Sequence, residues 1–123
     1  MTEQYQDQIS TNFWRHEFAC RCGCGYDTVD VETLRILQAA RTHFGARVTV
    51  NSGARCRSHN AAVGGTKGSQ HLYGRAADVQ VDGYTPDEVA AWVAEHYPEA
   101  SIGIYKTFVH IDTRSDGPAR WRG

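Results

Sequence analysis

His71 and Asp78 lie within Ser69-Gln70-His71-Leu72-Tyr73-Gly74-Arg75-Ala76-Ala77-Asp78, and a second histidine follows in Phe108-Val109-His110-Ile111-Asp112. Two imidazoles and a carboxylate are the protein ligands of a hydrolytic zinc centre, which keeps one coordination position for water. Such a centre also needs an acceptor for the water's proton, and a positive group to hold substrate or steady a developing oxyanion. His71 alone is weak evidence, because an isolated histidine is more often a surface or core residue. Asp78 says more, since Ala76, Ala77 and Val79 surround it and a carboxylate in a buried run needs a cation or hydrogen-bond donors. His110 sits between Val109 and Ile111 in a similar apolar setting.

Rigid elements are expected to carry two of the three. Ala76 to Asp82 reads as a strand, with Asp78, Gln80 and Asp82 on one face by the two-residue period. Ser101 to Tyr105 and Thr107 to Thr113 read as two strands joined near Lys106, placing His110 and Asp112 on one face and Val109 and Ile111 on the other. Thr66 to Gln70 is a loop delivering His71, after a short helix over Ser58 to Val63 closed by Gly64-Gly65.

Asp30 is a fair N-cap for the main core helix, on which Val31, Leu34, Leu37, Ala40 and Phe44 recur at helical spacing and Gly45 is a stop. Thr85-Pro86-Asp87-Glu88 starts a second helix with a capping box and proline at its first position, and Trp92 belongs to its apolar face. Arg47 to Asn51 alternates as a strand. Three to five strands with two main helices in mixed order predict an α+β domain whose sheet is largely antiparallel.

At 123 residues, with 41% hydrophobic and 22% charged residues, the chain is expected to form one domain over residues 13–123, preceded by a loose arm over 1–12. A net charge of -1 gives no electrostatic reason to propose nucleic acid or an anionic membrane as partner. No apolar run approaches the roughly 20 residues of a membrane span, so no membrane insertion is expected, and the protein is expected to be a monomer. The polar start carries no secretory signal, which implies synthesis in a cytoplasm. Arg114, Arg120 and Arg122 read as a solvated basic end.

Cys20, Cys22 and Cys24 crowd one loop, with Cys56 the fourth cysteine. Their C-x-C-x-C spacing fits a metal knuckle poorly, so a second, structural zinc at these four residues is less favoured than reduced thiols. A disulfide would join Cys56 to one of the three, because C-x-C neighbours bridge only with strain.

The ordered set Ser69, His71, Gly74, Ala76 and Asp78, with Ser52-Gly53-Ala54-Arg55 upstream and Phe108-Val109-His110-Ile111-Asp112 downstream, resembles the zinc D-Ala-D-Ala carboxypeptidase family, the M15 peptidases. Within it the chain is most similar to small phage- or prophage-type domains, through Glu17-Phe18-Ala19-Cys20-Arg21-Cys22-Gly23-Cys24-Gly25 and Gly117-Pro118-Ala119-Arg120-Trp121. The resemblance implies the hedgehog/DD-peptidase fold, one catalytic Zn2+ on His71, Asp78 and His110, and Arg55 pairing with a substrate carboxylate. It implies peptidoglycan stem peptides as substrate, with action on the cell wall after release or as part of a phage particle.

A D-Ala-D-Ala carboxypeptidase is the first expectation; a D,D- or L-alanyl-D-glutamate endopeptidase is the close alternative. A non-catalytic zinc-containing wall-binding module and a metal-free α+β domain are the readings from other classes. Ser69 is expected to touch substrate or brace the His71 loop, Gly74 to turn the backbone between ligands, and Tyr105 to donate to the oxyanion, with His59 a rim contact. Many relatives carry an acidic residue or a histidine shortly before the last ligand, but positions 104–109 hold neither. Asp112 is therefore the expected general base, with orientation of a metal ligand, or zinc binding that frees His110 for acid-base work, as its other possible roles. His16, His43 and His96 are expected on the surface.

Overall fold

Helix α1, Val31–Phe44, begins at Asp30, whose carboxylate accepts the Glu32 N–H at 3.2 Å, and ends at Gly45 in the left-handed region. The computed structural model describes residues 7–123. Half of the expected arm, residues 1–6, lies outside these. The rest of it is held: β1, Gln8–Ser10, pairs with β2, Phe13–Trp14, and Asn12 donates its N–H to Gln38 on α1 at 2.9 Å.

The central sheet contains β3 (Val48–Ser52), β4 (Ala76–Val81), β5 (Ser101–Ile104), β6 (Val109–Asp112) and β7 (Arg120–Arg122), in the order β3-β4-β6-β5-β7. All pairings are antiparallel except β5 with β7. The last strand gives the basic end an ordered place at the sheet edge, with Arg120 and Arg122 exposed as expected. Arg120 donates to the carbonyls of Ala100 and Pro98, and Arg122 pairs with Asp87 at 2.7 Å.

Helices α2 (Arg57–Ala62) and α3 (Pro86–His96) complete the α+β domain. On α3 the predicted capping box is present: Thr85 and Glu88 satisfy each other's backbone N–H, with Pro86 at the first turn. Alternation divides the sheet. Ala77, Val79 and Val81 of β4 and Val109 and Ile111 of β6 join Ile36 and Leu37 of α1 and Val89 and Val93 of α3 in one core. Asp78, His110 and Asp112 therefore belong to the opposite face.

The phase of α1 differs from expectation. Val31 is 67% exposed, while Thr33, Ile36, Leu37 and Ala40 are buried. Thr33 takes an inward position because its hydroxyl donates to the carbonyl of Arg75 at 2.7 Å and lies 2.7 Å from the Thr113 hydroxyl. That contact fastens α1 to the start of β4 and the end of β6, the two strands that carry Asp78 and His110. Leu37, fully buried, packs the same helix onto the sheet. Leu37→Ala is expected to lower unfolding free energy by about 2–5 kcal/mol, measured by urea denaturation.

Candidate metal centre

Asp78 and His110 are direct cross-strand neighbours in the β4–β6 ladder, so the antiparallel register alone places their side chains together on one face. His71 comes from a 3-10 turn, Gln70–Tyr73, just before β4. Ser69 caps this turn by accepting the His71 N–H at 3.2 Å, a contact that braces the His71 loop. Gly74, at φ 69°, turns the chain from that loop toward the strand. His71, Asp78 and His110 each offer one ligand atom, all within 4.8 Å of one another, and all three residues are buried.

The hydrogen bonds behind the ligands show what this group can accept. His71 Nδ1 lies 2.7 Å from the Gly53 carbonyl, which can only accept, so that nitrogen carries the proton and Nε2 presents a lone pair. His110 Nε2 lies 2.7 Å from the Asp112 carboxylate, so it carries the proton and Nδ1 presents the lone pair. Both lone pairs converge on Asp78 Oδ1, at 3.2 Å from His71 and 2.9 Å from His110. Three electron-rich atoms at this separation require a cation among them, either added protons or a metal ion. Two nitrogens, one carboxylate oxygen and acceptors behind both imidazoles form a donor set suited to zinc with a position left open.

Electrostatics follow the same contacts. With protons rather than a metal ion between these groups, burial would raise the Asp78 pKa, but hydrogen bonds from the protonated His110 and His71 outweigh it and hold the carboxyl well below its ordinary range. His110 shows the converse: burial disfavours its charge, yet Asp112 and Asp78 raise its pKa. Asp112, despite burial, is held well below the carboxylate range by Arg114 and His110. The bond to Asp112 in turn raises the Arg114 pKa.

Asp112 is a correction to the expected general base. It does share a face with His110, but it is fully buried behind that imidazole. Oδ1 accepts from the N–H and Nε of Arg114, and Oδ2 from His110 and Arg114 Nη2. Its contacts are those of a partner that orients His110, one of the two other roles considered for it. Arg114 is not a solvated residue: it pairs with Asp112 and lies over the Trp121 ring, 5.3 Å from the ring centroid.

An open cleft of about 550 Å³ faces the three ligands, and Arg55, Ser69, Tyr105, Arg114 and Trp121 contribute to its lining. Arg55 donates through Nε to Ser52, through Nη1 to Asn60 and through Nη2 to Asp78 at 3.4 Å. These contacts leave a second N–H on each Nη for a ligand. The Tyr105 hydroxyl accepts from Trp121 Nε1 at 2.9 Å. His59 does not line the cleft, and its backbone N–H goes to Cys56. His16, His43 and His96 are exposed and lie away from the site, the latter two stacked on Trp92.

Trp121 and the Gly53 carbonyl are functional groups that the sequence reading missed. Gly103 opposes His110 on one side and Trp121 on the other, and a Cβ at Gly103 would come within 2.4 Å of the indole. The absent side chain leaves room for Trp121, which packs 5.1 Å from His110. The sequence signal was present in the glycine between Ile102 and Ile104, but its meaning depends on the pairing with β7.

Asp112→Asn retains the shape of the side chain and removes the charge that holds the His110 proton and Arg114. It is expected to weaken zinc affinity by about 10–100-fold in competition with a chromophoric chelator. A residue acting only as general base would leave that affinity unchanged.

Residues 11–112 match the family described as Peptidase M15. Comparison with curated proteins finds no match. The matched segment includes the three residues of the candidate metal site, Arg55 and Asp112. The chain belongs to the peptidase M15 family and is a metallopeptidase hydrolase.

Proposed function

We propose that this metallopeptidase uses Zn2+ held by His71, Asp78 and His110 to hydrolyse the stem peptide of bacterial peptidoglycan, releasing a terminal D-alanine. The observation that carries the reading is Arg55, a guanidinium in the cleft hydrogen-bonded to the ligand Asp78 with N–H groups to spare. A planar guanidinium takes a carboxylate bidentately, so it can select a peptide with a free carboxylate close to the bond cut.

Zinc in this position supplies Lewis acidity, polarising a carbonyl and lowering the pKa of water toward ~7. The protein's part is mostly donation and positioning. Among the described residues lining the cleft, no carboxylate or imidazole stands apart from the three ligands. The remaining polar groups include Arg55, Arg114 and Tyr105, which favour negative charge through positive charge or hydrogen-bond donation. The Tyr105 hydroxyl, already accepting from Trp121, keeps its own O–H to donate toward an oxyanion. Gly53 and Asp112 hold the two imidazoles in the tautomers that turn lone pairs inward.

Mass spectrometry of defined muropeptides tests the reading. Loss of a single D-alanine supports the carboxypeptidase; separation into two peptides supports a D,D- or L-alanyl-D-glutamate endopeptidase; intact muropeptides with retained wall binding support a binding module.

The Arg55 role has a sharper test. Amidating the substrate's terminal carboxylate is expected to cost the wild type roughly tenfold or more in kcat/KM, and to cost Arg55→Lys much less. Equal losses in both proteins would refute carboxylate recognition by Arg55. Dialysis against a chelator is expected to abolish hydrolysis, and added Zn2+ to restore it.

A further inference from the structure

The three cysteines of one loop and the single cysteine beside Arg55 come together in space. Sγ of Cys20 lies 3.4 Å from Cys22 and 3.9 Å from Cys56, and Cys22 lies 3.6 Å from Cys56. Cys24 brings its sulfur within 4.8 Å of the other three. All four cysteines are free. These separations are far beyond a disulfide bond of about 2.05 Å. They match the edge of a tetrahedron of sulfurs about 2.3 Å from a central ion, which is about 3.8 Å.

The loop geometry explains how a spacing unlike the usual knuckle achieves this. Gly23 and Gly25, at φ 84° and 94°, allow reversals between and after the cysteines that a side chain would resist. The Gly23 N–H returns to the Cys20 carbonyl at 3.1 Å, and the Cys20 N–H closes the loop on the Tyr26 carbonyl at 2.7 Å. Arg21 fixes the loop from outside by donating to the carbonyls of Glu17, Ala19 and Val50. Two backbone donors already address the sulfurs: Cys56 N–H to Cys20 Sγ and His59 N–H to Cys56 Sγ, each at 3.4 Å. Such donors offset negative charge on thiolates.

We propose that Cys20, Cys22, Cys24 and Cys56 form a second metal site, a tetrathiolate centre for one Zn2+, distinct from the His71–Asp78–His110 centre. Four soft ligands in a tetrahedral arrangement select zinc or an iron–sulfur centre. Sulfurs this close suit a single ion, since a cluster of several irons needs its cysteines spread more widely. Binding displaces the thiol protons to solvent and forms four zinc–sulfur bonds, with no change of oxidation state.

The site would act as a brace for the catalytic centre. Along residues 53–56 successive backbone groups reach alternately to the two sides: Gly53 C=O to His71, Ala54 N–H to Phe18 C=O, Arg55 N–H to His71 C=O, and Cys56 N–H to Cys20. A metal pinning Cys56 to the Cys20–Cys24 loop therefore fixes the strip of backbone that sets the His71 tautomer and positions Arg55.

Elemental analysis and cobalt spectroscopy test this independently of activity. Zinc-replete protein purified under reducing conditions is expected to contain about two zinc ions per chain, and His71→Ala/His110→Ala protein about one. Reconstituted with Co2+, the histidine variant is expected to show intense sulfur-to-cobalt charge transfer and strong tetrahedral visible bands; Cys22→Ser/Cys24→Ser is expected to lack them.

Thiol labelling of the wild type provides a readout that needs no variant. Zinc should protect all four thiols, and a chelator should expose them. Retention of no metal by the histidine variant, a cobalt spectrum without thiolate character, labelling indifferent to zinc, or a mass showing disulfides would each overturn the proposal. Failure of hydrolysis alone would bear only on the catalytic centre.

Discussion

The antiparallel register between β4 and β6 is the constraint on which the rest of the structure depends. It sets Asp78 directly opposite His110, and with the same stroke turns Ala77, Val79, Val109 and Ile111 into the core. A slip of one residue would exchange ligands for apolar side chains on both faces of the sheet. Core packing and the candidate metal site thus specify the same alignment from opposite sides. The Thr33 contacts to Arg75 and Thr113 secure it from the helix layer.

Each ligand is backed by one partner of defined character. A backbone carbonyl holds His71, a buried carboxylate holds His110, and a guanidinium lies against Asp78. The pattern directs two imidazole lone pairs inward and leaves the carboxylate anionic. Arg114 extends the arrangement one step further by pairing with Asp112, so that a buried negative charge does not stand alone. The cleft around the ligands is correspondingly rich in donors, a setting that stabilises the negative charge developing in peptide hydrolysis.

Much of this was legible in the sequence because it is local. The caps at Asp30 and Thr85, the stop at Gly45 and the alternation around Asp78 and His110 depend on neighbours a few residues away. The family motifs indicated which three residues to place together. What escaped depends on long-range pairing or on orientation within a side chain. The parallel return of β7 beside β5 makes Trp121 a wall of the cleft, and no local pattern announces it. Asp112 was rightly assigned to the face of His110, but its role turns on which imidazole nitrogen it meets. The phase of α1 was misread at Val31 because Thr33, a polar residue, has backbone and hydroxyl partners in the interior.

The indole of Trp121 stands beside His110 only because Gly103 has nothing to put there. Its wall is supplied by an edge strand that contributes none of the three ligands. One wall of the cleft and the ladder that places Asp78 and His110 consequently reside in different strands. Exchanging the aromatic on β7 would reshape the wall beside His110 and the ring beneath Arg114, while the β4–β6 pairing that sets Asp78 opposite His110 is made without it.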